Sequence, residues 1–161
     1  LQNDLLALAM TCRFFYRDVI NKLETNLFLN EGRLLEQRKM TPHTLAWFQW
    51  VCDTFEILPG FEWPWERVKG TVYEGDLVNL APLQSSVEIW RWLMEEKRCE
   101  LNKYTGMWAG QGGSVEVLEH MRKRGYKFAT AACEGAAIGG HLEALKYLRG
   151  LDPPCPWNEW T

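Results

Sequence analysis

The chain lacks any long apolar run. Nowhere do its 161 residues offer the roughly 20 consecutive apolar positions that a membrane helix needs, so no membrane insertion is expected. It also lacks a charged-then-apolar leader and an Arg- and Ser-rich transit segment. Leu1 is not a Met, so the chain is expected to be part of something longer, and organelle targeting stays open. A large excess of one sign of charge is lacking. The formal net charge is -3, with 6 Lys and Arg against 5 Asp and Glu in residues 1–43 and 12 against 16 in residues 44–161. Neither part is basic enough to expect nucleic-acid binding. Cysteine is unpatterned: Cys12, Cys52, Cys99, Cys133 and Cys155 are odd in number, widely spaced and without a C-x-x-C. That argues against a disulfide framework or a thiolate metal site. The expectation is reduced, partly buried thiols in an intracellular protein, cytoplasmic or nuclear.

Catalytic patterns are equally scarce. His43, His120 and His141 have no second His or Cys at metal-ligand spacing. Gly110-Gln111-Gly112-Gly113 follows no apolar strand and precedes no Lys-Ser/Thr, as a phosphate loop would. There is no G-x-S-x-G and no Cys/His nucleophile context. The basic cluster Arg122-Lys123-Arg124 with Lys127 reads as charge complementing a helix end. No catalytic residue, metal or cofactor is expected, and the chain is not read as an enzyme.

What the chain does have is tryptophan and repetition. It is 47% hydrophobic and 24% charged, a globular composition, yet it holds nine Trp. A Trp-rich binding surface is one explanation, and a repeat that reuses Trp at fixed positions is the other. Three segments align without gaps: Ser86-Val87-Glu88-Ile89-Trp90-Arg91-Trp92-Leu93, Ser114-Val115-Glu116-Val117-Leu118-Glu119-His120-Met121 and His141-Leu142-Glu143-Ala144-Leu145-Lys146-Tyr147-Leu148. Val87 to Val115 is 28 residues and Val115 to Leu142 is 27. Glu88, Glu116 and Glu143 recur in register and so read as scaffold features rather than an acid/base pair. Ala81, Ala109 and Ala136 stand six residues before each aligned Val or Leu. A weaker copy, Thr44-Leu45-Ala46-Trp47-Phe48-Gln49-Trp50-Val51, lies 42 residues before the first, so that unit carries an insertion or hides a degenerate repeat.

This period suits a helix pair. Apolar residues at i, i+3 and i+6 (Val87, Trp90, Leu93) with a second set (Ile89, Trp92) give an arc wide enough for a helix packed on both sides. The small-residue segment Ala131-Ala132-Cys133-Glu134-Gly135-Ala136-Ala137 predicts a shorter helix that approaches its neighbour closely. Gly139-Gly140 supplies the turn. Tails at Gly125–Phe128 and Asp152–Trp157 predict loops.

At this point the residues resemble a known family. Gly140-His141-Leu142-Glu143-Ala144-Leu145-Lys146-Tyr147-Leu148 is similar to the second-helix signature of ankyrin repeats, G-H-L-E-V-V-K-x-L-L, and Ala136-Ala137 falls where that family has paired alanines. Cys155-Pro156-Trp157-Asn158-Glu159-Trp160-Thr161 resembles the linker of a divergent subgroup with shorter units. The T-P-L-H start is missing from all three units, and Pro82 replaces one alanine, so the family's hairpin fingers are expected to be shortened or absent. The resemblance gives His141 a structural hydrogen bond at its turn. It implies an all-α solenoid of stacked antiparallel helix pairs over residues 44–161.

Residues 1–43 are expected to form a helical segment. Leu5, Leu8, Cys12, Phe15 and Val19 share one helix face. The run Asp4–Ile20 resembles the second half of an F-box, D-L-L-x-L-x-x-V-C-R-x-F-R-x-L. That resemblance implies docking on a Skp1-type adaptor of ubiquitin ligases, with Leu5, Leu6, Leu8 and Phe15 as the adaptor contacts. The other reading is a helical cap for the repeat stack, and both stay open. The function expected from the whole is a protein–protein interaction scaffold, extending to a substrate-recognition arm of a ubiquitin ligase. The alternative is a structural subunit fixed in a large assembly. Candidate partner contacts are the loop aromatics Trp63, Trp65, Tyr126, Phe128 and Trp157 and the first-helix residue Trp108.

Overall fold

The structure, a computed structural model, describes residues 43–60, 72–159 and 161. In chain order the described elements are α1 (Leu45–Thr54), β1 (Ile57–Leu58), β2 (Val72–Tyr73), α2 (Glu74–Leu83), α3 (Val87–Glu95), α4 (Thr105–Gly112), α5 (Val115–Lys123), α6 (Thr130–Ile138) and α7 (Leu142–Arg149). The described chain is mostly helical with little strand. Residues 1–42, which hold the adaptor candidates Leu5, Leu6, Leu8 and Phe15, lie outside it, and so do Trp63 and Trp65.

Hydroxyl caps fix where several helices begin. Thr44 Oγ1 accepts from Trp47 N at 3.2 Å, Ser86 Oγ from Ile89 N at 3.3 Å and Ser114 Oγ from Val117 N at 3.3 Å. Each cap satisfies a backbone N–H that the helix itself leaves unpaired and contributes about 1 kcal/mol. Glu88, Glu116 and Glu143 each stand in the first turn of their helix, where negative charge complements the dipole. At α7 His141 replaces the serine, and its side chain makes no cap.

The helices form two rows. In one, α2 packs on α4 and α4 on α6; in the other, α1 packs on α3, α3 on α5 and α5 on α7. Each member of the first row also packs on the helix that follows it, α2 on α3, α4 on α5 and α6 on α7. The core draws on both rows: Leu77, Val78 and Leu80 are buried in α2, and Ala132, Cys133 and Ala136 in α6. Ile89, Trp90 and Leu93 are buried in α3, Val117, Leu118 and Met121 in α5, and Ala144 and Leu148 in α7. Fully burying a side chain such as Leu93 stabilises by about 1.5–3 kcal/mol. The third and seventh residues of α3, α5 and α7 are thus buried, and the fourth in α3 and α5. The first residues, Val87 and Val115, are only half-buried, and Leu142 is exposed.

Small residues let the first row close up. A Cβ on Gly110 would run into Ala132 O and Ala136 N, and one on Gly135 would run into Met107 O. The backbones of α4 and α6 thus interlock reciprocally, each through a glycine. α6 has 9 residues and α7 has 8, so the expected shorter first helix is not shorter. Between rows the chain turns through a left-handed residue in register: Ser85 (φ 60), Gly113 (φ 77) and Gly140 (φ 71). Glycine takes this conformation without the Cβ clash that a side chain meets.

A short sheet was not foreseen. β1 and β2 pair in parallel, Ile57 with Val72 and Leu58 with Tyr73. Two-residue strands carry no alternation long enough to read from sequence. They lie between α1 and α2, so the extra residues of the 42-residue spacing sit in this connection.

Each tail is tied to the helices beside it. Asn102 Nδ2 and Thr105 Oγ1 both donate to Asn79 Oδ1 at 3.1 Å. Tyr126 Oη accepts from Gly106 N at 2.9 Å and donates to Asn102 O at 3.2 Å. Asn79 and Thr105 are buried, so this polar set joins α2, α4 and the tail after α5 where water is excluded.

Candidate partner-binding surface

The aromatic candidates divide by what covers them. Trp108 is 5% exposed and does not present its ring to solvent, a correction to its expected exposure. Its indole N–H finds no hydrogen-bond partner among the described residues. Tyr126 is half-buried with its hydroxyl engaged in the buried set, and burial pushes its phenol pKa up. Phe128 meets Tyr126 edge-on, with ring centroids 5.3 Å apart, and packs against the core. Both rings are half-buried and keep part of their surface open to solvent.

Trp157 is different. It is 57% exposed, and the Arg149 guanidinium carbon lies 4.4 Å from its ring centroid. Arg149 Nη1 also donates to Cys155 O at 2.5 Å. The same side chain therefore anchors the tail and supports the ring. A guanidinium over an indole contributes about 0.5–1 kcal/mol at an exposed site. Asn158 Nδ2 donates to Glu134 Oε1 at 3.0 Å and holds the next residue to α6. The indole is thus held in place on a restrained tail.

Two aliphatic residues share this end of the molecule. Ile138 is 66% and Leu142 60% exposed, and with Trp157 they are the large exposed hydrophobics among the described residues. Of Leu142, Leu145 and Leu148, spaced three apart, only Leu142 is exposed; Leu145 is half-buried and Leu148 buried. Ile138 escaped the sequence reading. Its signal is an isoleucine closing a helix otherwise built of small residues.

Two members of the basic cluster, Lys123 and Arg124, have carboxylate neighbours. Lys123 pairs with Glu119 at 3.1 Å and Arg124 with Glu95 at 3.6 Å. Arg91 Nη2 lies 3.7 Å from Glu116 and donates to His120 Nε2 at 2.9 Å. These are exposed pairs, each contributing ~0–1 kcal/mol. The ring of His141 lies against Gly113 and Gly139, both of which would clash with it if they carried a Cβ. It fills space between two turns. Among the described residues no group of three His, Cys, Asp or Glu is placed to hold a metal, and no helix is long and apolar enough to cross a membrane. Comparison with family models, with curated proteins and with solved structures finds no match.

Proposed function

We propose that the chain is a protein–protein interaction scaffold: an ankyrin-like stack of helix pairs whose tails meet a partner protein. Trp157 carries this reading. An indole held over half exposed by a cation and a restrained tail loses little entropy on binding, which is how aromatic anchors contribute to interfaces. The two-row packing and the Gly110–Gly135 interlock support rigid presentation, because neighbouring pairs cannot slide without backbone collision.

The test is site-specific photo-crosslinking from position 157 of the full chain, followed by affinity measurement on the captured protein. Trp157→Ala is expected to weaken binding at least tenfold, while Tyr126→Phe leaves the affinity of the folded fraction unchanged. Equal binding by Trp157→Ala and the parent would remove the anchor. A chain stable only inside a larger assembly would favour the structural-subunit alternative.

A further inference from the structure

Positive charge is spread unevenly over this chain. The formal net charge is -3, yet residues 119–127 hold four Lys and Arg against one Glu. Arg122 and Lys123 close α5, and Arg124 and Lys127 follow in its tail; all four are exposed. The tail after α3 adds Lys97, Arg98 and Lys103, also exposed. The fold lays these two tails side by side. Arg124 lies 3.6 Å from Glu95, the last residue of α3, and Tyr126 Oη donates to Asn102 O at 3.2 Å, one residue before Lys103.

The helix dipole explains only part of this charge. Its effect is confined to the last turn, where Arg122 and Lys123 stand. Lys127 lies beyond that turn. Lys103 stands two residues before α4, at the helix end where a cation is disfavoured. Its ammonium sits 5.0 Å from the centroid of the Tyr104 ring, which orders it in place. Among the described residues no ion pair joins Lys103, Arg122 or Lys127 to a carboxylate. Tyr104, Tyr126 and Phe128 stand next to Lys103 and Lys127 in the chain, half-buried with part of each ring open. Exposed carboxylates are interspersed: Glu95, Glu96, Glu100 and Glu119. An unbroken run of phosphates would be repelled by them. A peptide can set its carboxylates against the cations alone.

We infer that the paired tails after α3 and α5 dock a segment of a partner protein in which acidic residues flank an apolar side chain. The carboxylates of that segment meet Lys103, Arg122 and Lys127, and its apolar side chain lies on the open parts of Tyr126 and Phe128. Exposed charges of this kind act on encounter rate and register, so the binding is steeply salt-dependent. The inference rests on the reading of the chain as an interaction scaffold and names the chemistry of its partner. It requires nothing of Trp157.

The probe is a fluorescein-labelled peptide of about ten residues, Glu alternating with Gly around one central Leu. Its binding to the full chain is followed by fluorescence anisotropy. Affinity is expected to fall about tenfold as salt rises from about 0.01 to 0.1 M, which shortens the screening length from about 30 to 10 Å. Arg122→Glu with Lys127→Glu is expected to weaken binding about tenfold or more, with the urea midpoint almost unchanged because both side chains are exposed. Lys146→Glu, whose lysine pairs with Glu143 on α7, is expected to change it less than about twofold. Replacing the peptide's Leu by Gly is expected to weaken binding about threefold. Trp157→Ala is expected to leave the peptide affinity unchanged, so the anchor at position 157 and this surface fail separately. Binding without salt dependence, equal losses from Lys146→Glu and the double variant, or indifference to the Leu would overturn the inference. So would an oligothymidylate of the same length that binds more tightly than the peptide through Arg122 and Lys127, because the surface would then serve a nucleic acid.

Discussion

The imidazole of His141 lies so close to Gly113 that a Cβ on that glycine would collide with the ring. Gly113 and Gly140 occupy the same left-handed turn position in successive units, at φ 77 and 71, but only Gly113 is covered. Gly140→Ala is therefore expected to cost about 1–2 kcal/mol, the strain of a left-handed residue with a side chain. Gly113→Ala is expected to cost more, because the ring must also move. Urea midpoints measure both. Adding His141→Ala to Gly113→Ala is expected to recover the difference, giving a coupling between the two sites. Equal losses at the two glycines would contradict the contact.

Tyr126 serves the fold through its hydroxyl. Tyr126→Phe leaves the Gly106 N–H without its 2.9 Å acceptor in a half-buried place. An orphaned group of this kind costs about 1–3 kcal/mol. Exchange of the Gly106 amide is expected to accelerate in step with the loss of stability. An unchanged Gly106 amide would show that the hydrogen bond is not made.

Two tryptophans are expected to respond oppositely. Trp108→Ala removes a buried ring and is expected to cost about 3–5 kcal/mol. Trp157→Ala removes an exposed ring with one cation contact and is expected to cost no more than ~1 kcal/mol. Thermal or urea unfolding of the two variants separates these roles. Similar losses would mean that the ring of Trp157 is covered.

Stability is expected to peak between mildly acid and mildly alkaline pH. Burial pushes the Cys99 and Cys155 thiols up from 9.0 to about 12, with Glu74 adding to the effect at Cys99 and Cys133 at Cys155. Above pH 9.0 the unfolded chain releases these protons while the folded chain keeps them, so stability falls as pH rises through that value. His43 shifts downward through burial. Below pH 6.5 the unfolded chain takes up a proton that the folded chain resists, so stability also falls on the acid side. Urea midpoints across pH check both limbs. Cys99→Ala with Cys155→Ala is expected to flatten the alkaline one, and an undiminished slope would assign it to other groups.

The F-box resemblance of Asp4–Ile20 makes its own prediction. The full chain is expected to bind a purified Skp1-type adaptor, and Leu5→Asp with Leu8→Asp to abolish binding with helicity retained by circular dichroism. No binding by a folded parent chain would leave this segment as a cap of the stack.

Much of the architecture was legible because it is local. Helix starts at Val87, Val115 and Leu142 follow from the aligned segments, the Ser86 and Ser114 caps and the recurrent first-turn Glu. Gly140 turns the chain where the Gly-Gly pair predicts, since a left-handed backbone favours glycine wherever it falls. The strand pair was illegible: Ile57-Leu58 and Val72-Tyr73 are too short for alternation, and their pairing is a contact between distant segments.

The sequence by itself determined the repeat, its period of 28 and then 27 residues, and which helices are amphipathic, because these depend on spacing along one chain. Only the tertiary structure decided which aromatic rings are free. Trp108 and Trp157 are the same residue type, yet one is buried on a first-row helix and the other stands exposed on a tail under Arg149. Exposure is set by what covers a side chain in space, which spacing along one chain does not show. For the same reason Leu142 is open where Val87 and Val115 are half-covered, although all three begin the same motif.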